Sequence, residues 1–382
     1  MRKEGVLRWL FLGVSALSWL LGGLGYKHMV AQDLGVLAGI LLVLLAWWMN
    51  KKRLCLPPHF WLYIGFATLV GFDVMTRGNP FTSPQFFSML VSGSLFWTAF
   101  YMVGNGSDGI FVKKNLPYML AMLGYGFLGG FLLNQGGYFE KYRLFFGFIQ
   151  PITKEHMHLG VFWGILMVII IPIVLKENRM PWYKVITVVI GVYLMIISQA
   201  RSSFLGLMVG MLTYYYELLM AKTSQAKVVR VILLTTILVM VGISIYKPIR
   251  SFYFITPAVL NILREPLGSG IGQFEKVSAH YAYLYESGDF VTSRTHNLFL
   301  EMFIGLGWLG VFYVIWFGLS LVSCVKQKPG GRNLYLALFL AISAVFMVDP
   351  AYGIPTMGWI WMSVLGLAQS DEGKVEKADL QT

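Results

Sequence analysis

The stretch Ser293 to Gly310, SRTHNLFLEMFIGLGWLG, opens with Arg294, His296 and Asn297 and then runs into apolar residues and glycine. An imidazole titrates close to neutral pH, at a reference value of about 6.5, so a histidine at the lip of an apolar helix is a candidate general base. Arginines supply the second chemical element. SQARSSFLG is a very short connection between two apolar stretches, which puts Arg201 at or just under the edge of the hydrophobic layer. An ionisable residue at that depth normally faces the bundle interior and pairs with something. Glu301, Asp349 and Asp73 are the carboxylates in reach, each near the same end of its own apolar stretch, so a plain ion pair is the alternative for Arg201.

Arg250 and Arg264 lie fourteen residues apart, close to four helical turns, and therefore on roughly one face. Between them Phe252, Ile255, Val259, Ile262 and Leu263 recur at helical spacing, with Pro257 expected to bend or interrupt the helix. Such an amphipathic helix lying in the membrane interface holds its arginines at headgroup level, where they either bind a ligand or snorkel to lipid phosphates. REPLGSGIGQF follows, and Gly268, Gly270 and Gly272 suit tight turns or a close backbone approach. Guanidinium forks converging on one rim match phosphate, and never deprotonate. The other half of a phosphate ligand at the lip of an apolar bundle is a lipid tail lying between helices.

The elements that must carry these residues follow from composition. A hydrophobic fraction of 57% with only 13% charged residues, and a mean hydropathy of +0.66, exceed what a soluble globular domain hides in its core. The fold expected is an all-α polytopic membrane bundle, one integral membrane domain over residues 1–382. With about 20 residues per crossing, about twelve spans fall near 6–25, 34–50, 59–75, 85–104, 116–134, 157–175, 183–198, 203–220, 229–246, 297–324, 333–348 and 354–369. The first follows MRKEG but is long for a signal peptide and lacks a small-x-small cleavage site, so it reads as retained.

Most lysines and arginines sit in MRKEGVLR, KKR (51–53), VKK (112–114), KENRMPWYK, AKTSQAKVVR, KQKPGGR and the tail. The positive-inside rule then makes both termini cytoplasmic. It also accounts for most of the +12 formal charge without nucleic acid, the basic loops lying against anionic membrane lipids. Two outer segments are substantial, 134–157 and the large loop 247–296. Cys55 and Cys324 fall near the cytoplasmic side, and no disulfide is expected. The chain carries no nucleotide-binding fingerprint, no His-Glu-x-x-His and no internal repeat.

His296 and Asn297, nine residues, then Gly307-Trp-Leu-Gly310 resemble the His-Asn-x9-Gly-x-x-Gly signature of the O-antigen ligases, and the motif follows a long outer loop as it does in that family. ARSSFLGLMVG, with Arg201, resembles the arginine-bearing segment of the same superfamily, and EPLGSGIGQF, with Gly268 and Gly270, its glycine turn. YRLFFGFIQPITKEHMHLG looks like a diverged copy of an earlier outer motif; Gln150-Pro151 stands where the family has Asn-Pro, which leaves the role of Arg143 open. The resemblance implies a membrane glycosyltransferase that needs neither metal nor other cofactor, located in the bacterial inner membrane with a periplasmic active site. Its donor would be an undecaprenyl-pyrophosphate-linked glycan and its acceptor a sugar of the lipid A-core.

On that reading Arg201, Arg250 and Arg264 stabilise the pyrophosphate leaving group. His296 takes the acceptor proton, Asn297 orients it, and Gly307 and Gly310 let another helix pack close. For His156, His158 and His280 a structural role is favoured. O-antigen polymerases handle the same donor at the same face and are the main alternative. A transporter of lipid-linked sugars is more distant, because its polar groups belong near the midplane, whereas here they crowd one rim.

Overall fold

The structure, a computed structural model, describes residues 3–23, 29–77, 83–135, 158–175, 182–198, 200–219, 224–246, 252–284, 294–327 and 333–370. Among them it is all helix and connection, with no strand. In chain order the helices are α1 (Lys3–Gly23), α2 (Met29–Met49), α3 (Phe60–Thr76), α4 (Ser83–Gly104), α5 (Gly109–Gln135), α6 (His158–Leu175), α7 (Trp182–Ile197), α8 (Arg201–Leu219) and α9 (Ser224–Tyr246). There follow α10 (Phe252–Arg264), α11 (Phe274–His280), α12 (Leu298–Leu306), α13 (Val311–Gln327), α14 (Leu334–Phe346) and α15 (Pro355–Gln369).

Five described segments are long and apolar enough to cross a membrane: Gly5–Gly23, Phe86–Gly104, Gly109–Leu133, His158–Leu175 and Leu298–Gln327. Shorter apolar helices include Asp33–Met49, Phe60–Thr76, Trp182–Ile197 and Leu334–Phe346. What lies outside the core is equally telling. Trp61, Phe72, Met122, Leu132, Val189 and Leu238 are each at least 60% exposed, a surface that water would not tolerate and lipid would. This is a multi-pass helical membrane protein.

Two helices are buried nearly all round. Every residue of α15 is buried, and α6 is buried along almost its whole length, the signature of helices enclosed by others. Their neighbours are packed by small residues and stitched by indole hydrogen bonds. Gly366 of α15 faces the backbone of α4, where a Cβ would come within 2.6 Å of the Trp97 carbonyl. Trp97 Nε1 donates to Gln369 (2.8 Å), Trp359 Nε1 to Ser92 (2.7 Å) and Trp361 Nε1 to Ser343 (2.9 Å). In a membrane interior such close packing and polar bonds do what hydrophobic burial does in water.

The helices alternate in direction. Arg8, Asp108, Lys113, Tyr335 and Gln369 gather at one end, where Arg8 pairs with Asp108 and the Tyr335 hydroxyl donates to the Lys113 carbonyl. The C-termini of α3 and α14 and the N-termini of α6, α8 and α15 lie at the other. Helices α10, α11 and α12 are also there, packed together through Ala258, Phe274, Val277, Tyr281 and Ile304.

Helix α10 runs through Pro257 and ends at Arg264. It buries Ala258 and Asn261 and leaves Ile255, Val259, Leu260 and Leu263 exposed. The expected single span 297–324 is divided at Gly307: α12 stops there, a 3-10 turn covers Gly307–Gly310, and α13 resumes at Val311.

Candidate functional site

Helix α12 organises the site, and its start is set by Asn297. The Asn297 side chain accepts the amide of Leu300 at 3.0 Å, an N-cap, and its Nδ2 donates to the Met347 carbonyl at the end of α14, also 3.0 Å. Both halves of the amide are thereby used for structure. Its bonds among the described residues go to the backbone and not to the imidazole; they pin the start of α12 to α14.

Directly before it, His296 has φ 58°, a left-handed conformation that costs a residue with a Cβ about 1–2 kcal/mol. Its neighbours hold it there. Thr295 gives its amide to Glu301 Oε2 (3.2 Å), its Oγ1 accepts the Asn297 amide (3.1 Å), and the same hydroxyl donates to the Asn297 carbonyl (2.6 Å). Strain over-determined in this way marks a residue whose direction matters.

Glu301 is 5% exposed and accepts a second bond from the Tyr352 hydroxyl at 3.2 Å. Tyr352 belongs to a 3-10 turn, Pro350–Gly353, between α14 and α15. Burial pushes its phenol well above the ordinary range, so it remains a donor. The Arg294 guanidinium lies 5.7 Å from the centre of the Tyr352 ring.

The same turn is capped by Asp349, fully buried, whose Oδ1 accepts the Ala351 amide (2.9 Å) and whose Oδ2 accepts the Ser202 hydroxyl (2.6 Å). His158 Nδ1, at the start of α6, is 3.6 Å from Asp349 Oδ1. Ser202 is the second residue of α8, and the first is Arg201. Three helix ends and the turn therefore converge on one carboxylate. Among the described residues Arg201 forms no ion pair with Glu301, Asp349 or Asp73; hydroxyls, amides and Arg77 occupy those carboxylates instead.

The far end of α12, about 12 Å along its axis, is closed by the glycine loop. The Ser269 and Gly270 amides donate to the Ile304 and Gly305 carbonyls (2.8 and 3.0 Å), and the Trp308 amide donates to Pro266 (2.9 Å). Carbonyls that a helix terminus leaves without intrahelical donors are satisfied from a loop 35 residues upstream. The approach demands glycine on both sides. Gly268 (φ +80°) would put a Cβ 2.3 Å from the Gly305 carbonyl, and Gly307 (φ +59°) one 2.0 Å from the Pro266 carbonyl.

Helix α3 holds the loop from the other side. Asp73 Oδ2 accepts the Ile271 amide (2.6 Å), and Arg77 pairs with Asp73 (2.6 Å) while donating to the Leu267 and Gly268 carbonyls (3.0 and 2.9 Å). Gly310 serves α12 itself, a Cβ there meeting Met302 backbone at 3.0 Å.

Of the residues singled out from sequence, Asn297 bonds to Met347, and the residue after Arg201 bonds to Asp349, which sets the backbones of His296 and Arg201 at the same end of the bundle. Gly268 and Gly270 sit at the opposite end of α12. Arg264 is exposed beside them, its Nη1 2.7 Å from His280 Nε2, which makes that ring nitrogen the acceptor. Arg143, Arg250 and His156 lie outside the described residues. Sequence reasoning missed Tyr352, Gly353 and Thr295 as site members, and Arg77 as the anchor of the loop. The one available signal was Arg77 itself, a charge at the end of an apolar stretch. Beneath α12 a cavity of about 30 Å³, lined by Leu298, Met302, Tyr313, Tyr352 and Trp361 among others, has room for about one water. Among the described residues no three His, Cys, Asp or Glu side chains group as metal ligands.

Comparison with protein-family models, with curated proteins and with solved structures finds no match to this chain.

Proposed function

We propose that this protein is a membrane glycosyltransferase of the O-antigen ligase kind, transferring a glycan from undecaprenyl pyrophosphate to a sugar hydroxyl of lipid A-core at the periplasmic face of the bacterial inner membrane. On this reading about twelve spans carry the site and both termini are cytoplasmic. One observation carries the proposal. The residues of the His-Asn-x9-Gly-x-x-Gly pattern delimit a single short helix, α12, with His296 held in a left-handed conformation at its head beside Arg294, at the bundle end where Arg201 opens α8.

In the reaction the acceptor hydroxyl oxygen attacks the anomeric carbon while the bond from that carbon to the pyrophosphate oxygen breaks, its electron pair leaving on the phosphate. His296 removes the hydroxyl proton, a contribution typically of about 10²- to 10⁴-fold. The leaving group gains negative charge as the bond lengthens. Arg201 is the described guanidinium best placed to meet it, since the nearby carboxylates are engaged elsewhere, and a preorganised cation in a dry site is the larger share of such catalysis. Arg264 and Arg250 are assigned to the same leaving group, and Arg143 to substrate binding. An apolar groove of about 250 Å³ between α1, α2 and α15, lined by Leu17, Leu21, Leu34, Leu37, Leu41 and Trp359 among others, supports a place for the prenyl tail. Trp359 lies within two turns of Gly353 on α15.

The deciding experiment compares the lipopolysaccharide ladder of a deletion strain with its pool of lipid-linked polymer. Long polymer retained on the carrier with bare lipid A-core is the expected result. Accumulation of single lipid-linked repeats would make the protein a polymerase, and an unchanged ladder and pool would refute both.

A further inference from the structure

Arg294 lies two residues before His296 and was assigned no part in the chemistry above. Its surroundings are built for a guanidinium. A Cβ added at Gly353 would fall 1.7 Å from Arg294 Nη1, 2.3 Å from Cζ and 2.8 Å from Nη2, so the fork occupies the space that a side chain at 353 would take. One face of the group is backed by the Tyr352 ring, 5.7 Å from Cζ, a cation–π support. Behind it lies the carboxylate of Glu301, buried and already accepting from Thr295 and Tyr352, which attracts the cation from inside the protein. The half-buried guanidinium is therefore held in place by a notch, a ring and a charge.

The position is as telling as the support. The turn Pro350–Gly353 has Arg294 against its last residue. At its N-cap, Asp349 accepts the hydroxyl of Ser202, next to Arg201. Four residues of 3-10 helix rise about 8 Å, which puts the Arg294 guanidinium and the start of α8 at opposite ends of one short turn. Arg264, by contrast, is exposed beside His280 at the far end of α12.

We propose that Arg294 is an anion-binding residue of this site and holds one phosphate of a lipid-linked pyrophosphate, with Arg201 taking the other. The assignment rests on the glycosyltransferase reading and names the second half of its pyrophosphate clamp. A fork fixed in plane binds phosphate through two parallel N–H···O bonds, which a lysine cannot reproduce.

The test uses full-length protein in phosphatidylcholine nanodiscs, titrated with undecaprenyl pyrophosphate. Arg294→Ala should weaken binding about 10- to 100-fold, with Arg294→Lys closer to alanine than to wild type. Gly353→Ala is the sharper variant, because it changes no charge and its added methyl meets only the movable end of Arg294; it should weaken binding by at least about 10-fold. Gly318→Ala, which adds a methyl where nothing lies within 4 Å, should bind as wild type. Unchanged affinity in the folded Arg294→Ala or Gly353→Ala proteins would overturn the proposal and leave Arg294 a counter-ion for Glu301, even if either variant melts earlier. Displacement of the ligand by phosphatidylglycerol added to the discs would equally overturn it, making Arg294 a headgroup anchor. If wild-type protein shows no saturable binding, the glycosyltransferase reading falls and takes the proposal with it.

Discussion

Replacing Gly307 by alanine tests whether the glycine loop and α12 form one unit. The added Cβ would lie 2.0 Å from the Pro266 carbonyl oxygen and 2.5 Å from the Gly268 amide nitrogen, both backbone atoms, at φ +59° and ψ −139°. No rotamer relieves this; the loop must lift. Lifting breaks the three amide–carbonyl bonds from Ser269, Gly270 and Trp308, at about 0.5–1.5 kcal/mol each. The alternative, keeping the loop down, meets a backbone conformation that costs about 1–3 kcal/mol in addition to the collision. Strain and collision together raise the docked state, and the most the variant can lose is the three bonds that lifting gives up, about 1.5–4.5 kcal/mol. Amide exchange measured by mass spectrometry on protein in nanodiscs should show peptides covering 266–271 and 304–308 exchanging at least about 10-fold faster, since each 1.4 kcal/mol is a factor of ten. Peptides from α15 should be unaffected. Exchange of the 266–271 peptide at the wild-type rate would refute the reasoning, because it would mean that the two segments are not held by that approach.

His296→Ala should insert and bind lipid-linked donor normally but transfer about 10²- to 10⁴-fold more slowly. Wild-type rate should climb as pH rises through the imidazole range, since only the neutral ring accepts a proton; the alanine variant should lose that climb, and near-normal turnover in it would end the assignment. Arg201→Lys keeps the charge and loses the fork, so transfer should fall at least about 10-fold with unchanged membrane insertion, and wild-type activity would reduce Arg201 to a boundary residue. A cysteine placed at exposed Glu275 should react with an impermeant thiol reagent in intact spheroplasts, and labelling only after lysis would invert the topology.

Much was legible in the residues alone, because the properties concerned are local or bulk. Composition decides the solvent, and a chain this apolar with so few charges has helices as its way of satisfying its backbone in lipid. The span of α10 could be read because its apolar residues repeat at the period of the helix, although the helix runs through Pro257, where a bend or interruption was expected. His296 and Arg201 could be singled out since a charge or an imidazole at a membrane rim is costly wherever the rest of the chain goes.

Tertiary structure decided what depends on the arrival of a distant segment. Residues 297–324 read as one span, because hydropathy senses neither direction nor breaks. The break at Gly307 exists because the 266–270 loop bonds the last carbonyls of α12. Asn297 looked like a partner for the imidazole; the end of α14 arrives and takes its amide. The carboxylates expected to neutralise Arg201 were rightly placed near its end of the bundle, but hydroxyls and backbone amides from other elements reach them and Arg201 is left for something else. Gly353 is the limiting case. Nothing in its neighbours along the chain marks it, and it matters only because Arg294, fifty-nine residues earlier, lies where its side chain would be.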